Sequence, residues 1–168
     1  MDFIYLNPAN EEISGYSIYR YEQTDATFNG FEAGISIEKA GIFNFSLDYS
    51  YLDARKDDGS WLPMIPANRL LFDSKYYLPP IAPAWQNAFI SFGVNYTQEQ
   101  DNREPFEPPT PGYCILNAGA GVNIRSVRIL LTCRNLTDQF YFDHLSRLKY
   151  YGLYDMGRNI VLNVGWQF

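Results

Sequence analysis

The stretch GRNIVLNVGWQF, residues 157–168, alternates apolar side chains with small or polar ones. Successive side chains on a β-strand point to opposite faces of a sheet, so this pattern predicts a strand with one apolar face. The alternation runs to the last residue of the sequence, and an aromatic ring closes it. The apolar positions are Ile160, Leu162, Val164, Trp166 and Phe168.

The same period of two recurs along the chain, with Asn, Ser, Gly and Thr between the apolar positions. The clearest runs are 31–37, 43–51, 90–96 and 116–124. Aromatic residues make up 17% of the sequence, which favours β-structure over helix. Since no segment of useful length has a helical period, the sequence predicts an all-β protein.

Eight strands are predicted, and the connections between them differ sharply in length. The short connections are 39–41, 79–85 and 125–126, whereas 55–67, 100–112 and 136–157 are long and rich in charge, Pro and Gly. Transmembrane β-barrels have short turns at one end and long loops at the other. The sequence therefore predicts an antiparallel transmembrane β-barrel segment. Its strands are expected near 2–6, 19–38, 42–54, 68–78, 86–99, 113–124, 127–135 and 158–168.

A soluble β-sandwich remains an alternative, because one buried sheet face produces the same alternation as one lipid-facing face. The ladders of Asn, Ser, Gly and Thr on the other face favour the barrel, since they suit a water-filled lumen. Aromatic residues near the predicted strand ends would serve as interfacial girdles. They are Tyr49, Tyr51, Tyr96, Tyr113, Trp166 and Phe168.

Composition excludes several other classes. The 13 basic and 19 acidic residues give a net charge of −6, which argues against a nucleic-acid partner. Prolines interrupt the uncharged run 76–97, so no membrane-spanning helix is expected there. The first ten residues do not form a signal peptide, which leaves either a cytoplasmic protein or an amino terminus outside this sequence.

The two cysteines, Cys114 and Cys133, have no metal-binding spacing. A turn centred on residues 125 and 126 would place Cys133 opposite Ala118, four residues from Cys114. That offset corresponds to about 13 Å along a strand, beyond the reach of a disulfide. Both cysteines are therefore expected to be small apolar residues on the lipid-facing side.

Two parts of the chain resemble TonB-dependent outer-membrane receptors. Residues 19–78 contain a Gly-x-Glu strand, here Gly30 and Glu32, and a Pro-x-x-Arg pattern from Pro66 to Arg69. The carboxyl end is similar through an Asn-Leu-x-Asp element and a final Gly-Arg-Asn strand. The matching residues there are Asn135, Leu136, Asp138, Gly157, Arg158, Asn159 and Phe168. The stretches FDHLSRLK, DFIYLNP and PPTPGY look most like the zinc-regulated receptors of this family.

The resemblance implies that residues 1–168 are the carboxyl-terminal part of a barrel of about 22 strands, without the plug domain and the TonB-binding motif. It implies a location in the outer membrane, with a periplasmic carboxyl terminus and extracellular long loops. The expected function is TonB-coupled import of a metal chelate, metal ion, haem or similar nutrient. The alternative is a complete small eight-stranded barrel with a structural or adhesive role.

The expected partners also follow from the resemblance. They are outer-membrane lipid, the barrel-assembly machinery, an unidentified nutrient, and the TonB complex through the missing amino-terminal part only. In this family a terminal aromatic on an alternating last strand is read by the assembly machinery. The assembly signal is therefore assigned to Ile160, Leu162, Val164, Trp166 and Phe168.

Candidate chemical groups are few. His144 is the only histidine, and it lies with Asp143 in the longest loop, so these two are the candidate ligand contacts. One histidine cannot build a zinc site alone, and no metal site is expected. Ser146 lies two residues from His144, but no third orienting group or oxyanion hole has a recognisable motif. No catalytic residue and no cofactor are therefore predicted, and the chain is not expected to be an enzyme.

Overall fold

The computed structural model describes residues 2–80 and 82–167, and its strands form one antiparallel sheet. The prediction of an all-β chain with about eight strands is confirmed. One short 3₁₀ helix, Arg147–Tyr151, lies between the last two strands. Among the described residues, no helix is long and apolar enough to span a membrane. The strands are β1 (Asp2–Ile13), β2 (Tyr16–Lys39), β3 (Phe43–Lys56), β4 (Arg69–Tyr77), β5 (Trp85–Thr97), β6 (Tyr113–Ile124), β7 (Val127–Arg134) and β8 (Asn159–Trp166).

The strand order is the chain order, with β1 and β8 at the two edges of the sheet within the described residues. Because each strand runs antiparallel to the one before it, alternate connections fall at opposite ends of the sheet. The β3–β4 loop (57–68), the β5–β6 loop (98–112) and the β7–β8 loop (135–158) therefore share one end, called here the loop end. The short connections 40–42, 78–84 and 125–126 share the other end.

Register gives the sheet one apolar face. Residues opposite each other on neighbouring strands point to the same face, and apolar residues meet apolar residues from β2 to β8. One row passes through Phe43, Tyr76, Ile90, Ala120, Leu131 and Leu162. This face is largely uncovered, since Ile90 is 50% exposed and Leu162 is 63% exposed.

The opposite face is mainly polar. One of its rows passes through Ser36, Ser46, Asp73, Gly93 and Asn117. Phe89 belongs to this face and not to the apolar face, because it directly precedes Ile90 and successive side chains point to opposite faces. Its ring lies where a side chain on Gly121 would be, and the ammonium of Lys75 is 3.9 Å from the ring centroid.

The first strand is longer than predicted. The sequence places it at 2–6, whereas β1 continues to Ile13 and β2 begins at Tyr16, joined by a two-residue turn. Pro8 and the acidic pair after Asn10 suggest a loop, but a register shift between Pro8 and Glu12 absorbs them. Asn10 has a positive φ of 54° within that irregular stretch.

The cysteine register is as predicted. Cys133 lies opposite Ala118, and Cys114 lies opposite Tyr96 on the neighbouring strand. Both are free thiols, and both belong to the apolar face.

A small buried core lies beneath the loop end. It consists of Ala26 and Ala54 on β2 and β3 and of Leu62 and Ile65 from the β3–β4 loop, with Phe3 packed against them. The loop thus folds inward over the polar face of the sheet, because Ala54 is on the same side of β3 as Ser50 and Asp48.

Candidate functional site

The three long loops contact one another at the loop end. The side-chain amide of Gln100 in the β5–β6 loop donates to the carbonyl oxygens of Ile65 and Pro66 at 3.1 and 3.2 Å. The amide of Asn68 donates to Gln98 at 3.2 Å. These bonds join the β3–β4 loop to the β5–β6 loop.

Glu107 lies where all three loops meet, and we call Glu107, His144 and Lys149 the loop cluster. The carboxylate accepts from the ammonium of Lys149 at 2.7 Å and lies 3.1 Å from His144 Nε2. It also accepts from the backbone N–H of Met64 at 3.0 Å. Glu107 is 1% exposed, so the cluster is a buried charge pair that joins three separate loops.

The electrostatics of the loop cluster keep Glu107 ionised. Burial opposes the charged form, but the 3.1 Å contact with His144 Nε2 and the hydrogen bonds from Lys149 and Met64 outweigh it, so the pKa of Glu107 lies below its ordinary value of 4.5. Burial also lowers the pKa of Lys149, although the hydrogen bond to Glu107 acts in the opposite direction. The negative charge of Glu107 and the positive charge of Lys149 therefore compensate each other.

His144, one of the two predicted ligand contacts, lies inside this cluster. It is 3% exposed, and its Nδ1 is 2.8 Å from the hydroxyl of Thr110. Lys149 donates to its carbonyl oxygen at 2.5 Å. In this structure His144 thus makes contacts between loops, and a ligand contact by His144 remains a prediction.

Asp143, the other predicted contact, orders the backbone of its own loop. Its Oδ1 accepts from the N–H of Leu145 at 2.8 Å, and its own N–H donates to Asp155 at 2.8 Å. Asp143 also lines a polar cavity of about 610 Å³ on the polar face of the sheet, together with Arg69 and Arg134. A ligand role for Asp143 remains a prediction as well.

A further ion pair attaches the β1–β2 hairpin to the loops. Lys56 at the end of β3 pairs with Glu104 and donates to the hydroxyl of Tyr5 at 3.0 Å. Arg103 donates to the carbonyl oxygen of Glu107 at 2.6 Å. Lys56 thus links Tyr5 of the hairpin to Glu104 of the β5–β6 loop, and the Arg103 bond lies within that loop.

An aromatic cavity of about 460 Å³ lies between the hairpin and the loops. Three of its loop residues adjoin the loop cluster: Met64 donates a hydrogen bond to Glu107, Phe106 precedes Glu107 in the chain, and Tyr150 follows Lys149. Burial raises the pKa of Tyr150 to about 12, so this phenol stays protonated and can donate a hydrogen bond. The cavity therefore has its shape set by the same contacts that hold the loops together.

The Asn-Leu-x-Asp element acts as a clamp at the start of the β7–β8 loop. Asn135 is 2% exposed; its side chain accepts from the N–H of Gln139 at 2.8 Å and donates to the carbonyl oxygen of Met156 at 3.3 Å. Asp138 accepts from the N–H of Arg158 at 2.7 Å. The two residues tie the end of β7 to the beginning of β8.

Four of the predicted assembly residues lie on the apolar face of β8, which pairs with β7. Ile160, Leu162, Val164 and Trp166 are each at least 63% exposed. Phe168 lies outside the described residues. The role of these five residues as an assembly signal stays a prediction.

Sequence reasoning missed Glu107 and Lys149 as members of a buried site. The acidic stretch TQEQDNREPFEPP is typical of a hydrated surface loop. A usable signal is present in it, because Glu107 is flanked by Phe106 and two prolines, which is unusual for a fully solvated carboxylate. The partner is 42 residues away, and no local pattern identifies it.

A sequence model of the family described as TonB dependent receptor-like, beta-barrel matches residues 1–136. The solved structure titled copper transporter OprC superposes with a TM-score of 0.82 at 19% identity, covering 99% of this chain and 27% of that one. No curated protein sequence matches the chain.

Two further solved structures show the same fold. A structure of P. aeruginosa FpvA bound to heterologous pyoverdines gives a TM-score of 0.71 at 19% identity, with 99% of this chain and 23% of that chain covered. The FpvAI–pyocin S2 complex gives 0.67 at 18% identity, with the same coverage of 99% and 23%. The chain thus spans about a quarter of the length of these structures.

Proposed function

The chain belongs to the TonB dependent receptor-like β-barrel family, and from that premise we propose that it forms part of the wall of an outer-membrane receptor that imports a nutrient. The observation that carries the proposal is the register of the sheet. It places an uncovered apolar face opposite a polar one from β2 to β8. A barrel wall between lipid and a water-filled lumen needs that arrangement.

We infer that residues 1–168 form the carboxyl-terminal part of a barrel of about 22 strands. The chain covers 23–27% of the similar solved structures, which supports this. The alternative, a complete small eight-stranded barrel, requires β8 to pair with β1. Within the described residues these two strands lie at opposite edges of the sheet, which favours the larger barrel. A plug domain and a TonB-binding motif would then belong to other parts of the same receptor.

The orientation proposed here places the loop end outside the cell and the carboxyl terminus in the periplasm. The apolar face contacts outer-membrane lipid, and the apolar residues of β8 together with Phe168 serve the barrel-assembly machinery. The TonB complex acts through the amino-terminal part of the receptor. No nucleic-acid partner is proposed, because the sequence carries a net charge of −6.

The nutrient is proposed to be a metal chelate, a metal ion, haem or a similar compound. One similar structure is titled a copper transporter and another holds an iron complex of a pyoverdine, and both titles support this class. Neither title mentions zinc, so the zinc-regulated subtype gains no support. The barrel wall binds and admits the nutrient without covalent chemistry, and the proposal includes no enzymatic role.

Uptake by cells with and without the gene tests this function. We expect deletion of the gene to remove the TonB-dependent accumulation of one compound from a panel of copper, zinc and iron salts, ferric chelates and haem. Accumulation is measured by elemental analysis of washed cells, and a strain without TonB is the control. Identical accumulation of every compound in the wild-type, deletion and TonB-free strains would contradict the proposal.

A further inference from the structure

We propose that the aromatic cavity is a binding site for a flat aromatic anion, and that the imported nutrient is an organic chelate with a charged aryl ring and not a bare metal ion. This substrate class rests on the transport function proposed above and narrows it. The aromatic wall of the cavity and the guanidinium of Arg147 carry the assignment.

The wall of the cavity combines aromatic rings from separate parts of the chain. They come from β1, β2, the β5–β6 loop and the β7–β8 loop, and are Tyr5, Tyr19, Tyr21, Phe106, Tyr150 and Tyr151. A volume of about 460 Å³ lies within the range of small-molecule sites. Because aromatic side chains stack on other flat rings, this wall suits a ligand that contains an aryl group.

The 3₁₀ helix of the β7–β8 loop positions the cation of the cavity. Arg147 begins this helix, and Tyr150 follows three residues later. Side chains three residues apart eclipse each other in a 3₁₀ helix, so the guanidinium and the phenol line the cavity together. Ser146 caps the helix by accepting from the N–H of Leu148, and Gly152 ends it in the left-handed conformation. Arg147 therefore belongs to an ordered turn.

The charge of the cavity favours an anion. Arg147 lines it, and no acidic side chain is among its described lining residues. A guanidinium binds carboxylate and phenolate oxygens through charge-assisted hydrogen bonds. Burial raises the pKa of Tyr150 to about 12, so its phenol is a second donor for such an oxygen. A cation also stacks on aromatic rings, but the guanidinium repels it.

The donor groups of the cavity do not suit a bare metal ion. Within the described part of the chain, no three His, Cys, Asp or Glu side chains come together to hold a metal. Met64 brings one thioether to the wall, and a metal site needs several ligands. A metal that enters this cavity therefore arrives already coordinated by its organic ligand.

Equilibrium dialysis of the purified receptor, produced from its complete gene, tests this assignment with three probes. Ferric salicylate is an aryl anion, ferric citrate is an anion without a ring, and a copper(II) salt supplies a bare metal ion. Elemental analysis measures the bound metal. We expect ferric salicylate to bind about tenfold more tightly than ferric citrate, because only salicylate stacks on the aromatic wall.

Single variants locate the binding at the cavity. Arg147→Gln and Phe106→Ala should each weaken the binding of ferric salicylate by about tenfold, since one removes a charge-assisted bond and the other a ring contact. Arg147→Lys should keep part of the affinity, and neither loss should extend to copper. The matched control is Arg20→Gln, which removes the same charge from an exposed position on β2 outside the cavity lining and should leave binding unchanged.

Ferric citrate that binds as tightly as ferric salicylate, or ferric salicylate binding that neither Arg147→Gln nor Phe106→Ala weakens, would overturn the assignment. TonB-dependent uptake of a bare metal ion by cells, with no binding of ferric salicylate to the receptor, would do the same and leave the transport function intact. Binding of ferric salicylate at the cavity without TonB-dependent uptake of any compound would instead contradict the transport function.

Discussion

Replacement of Leu162 by arginine should reduce the assembled protein in the outer membrane by about tenfold or more, whereas arginine at Asn163 should leave it near the wild-type level. Leu162 belongs to the apolar face and pairs with Leu131, and Asn163 belongs to the polar face and pairs with Leu130. An arginine facing the middle of the bilayer costs about 2–4 kcal/mol, and one facing an aqueous lumen costs little.

The two variants place the same added charge at adjacent positions of the same strand. Heat-modifiable mobility on gels of isolated outer membranes measures the assembled fraction of each. If both variants assemble equally well or fail equally, the apolar face of β8 does not contact lipid.

Acid should open the loop cluster. The pKa of Glu107 is lowered in the folded protein, so its stabilising contribution is present above the ordinary value of 4.5 and is lost as pH falls through the lowered pKa. The titratable and charged groups around it are Lys149 and His144 on the β7–β8 loop and Arg103 and Glu104 on its own loop. Protonation of Glu107 removes the acceptor charge that compensates Lys149.

Hydrogen-exchange protection in the three loops, corrected for the intrinsic effect of pH on exchange, should therefore fall by about tenfold or more as the pH falls from 4.5 through the lowered pKa of Glu107. The Glu107→Gln variant is the control, and its loops should show little further change over the same range. Wild-type loops that keep their protection through this pH range would contradict the role assigned to Glu107.

The sheet was accessible to prediction because its signal is local. The alternation around Leu162, Phe45 or Ile90 predicts which face of the sheet each side chain occupies. The lengths of the connections identify the two ends of the sheet. The extent of β1 was not accessible in this way. Pro8 and Asn10 are typical of loops, and only the pairing with β2 keeps those residues in a strand.

The loop cluster was not accessible, because its members are far apart in the chain. Glu107 is buried by Met64 and Lys149, which lie 43 and 42 residues away. His144 was identified as unusual because it is the only histidine, but its loop contacts depend on how two other loops fold. Charge and composition of one loop do not determine such contacts.

A cysteine scan along β8 in lipid containing a nitroxide quencher tests the central claim most directly, namely that the apolar face of this sheet contacts the bilayer. Cys114 and Cys133 are free and are first replaced by alanine. A fluorophore is then attached in turn to each position from 160 to 165 of the assembled protein. We expect strong quenching at 160, 162 and 164 and weak quenching at 161, 163 and 165. Equal quenching at all six positions, or the opposite alternation, would contradict the account.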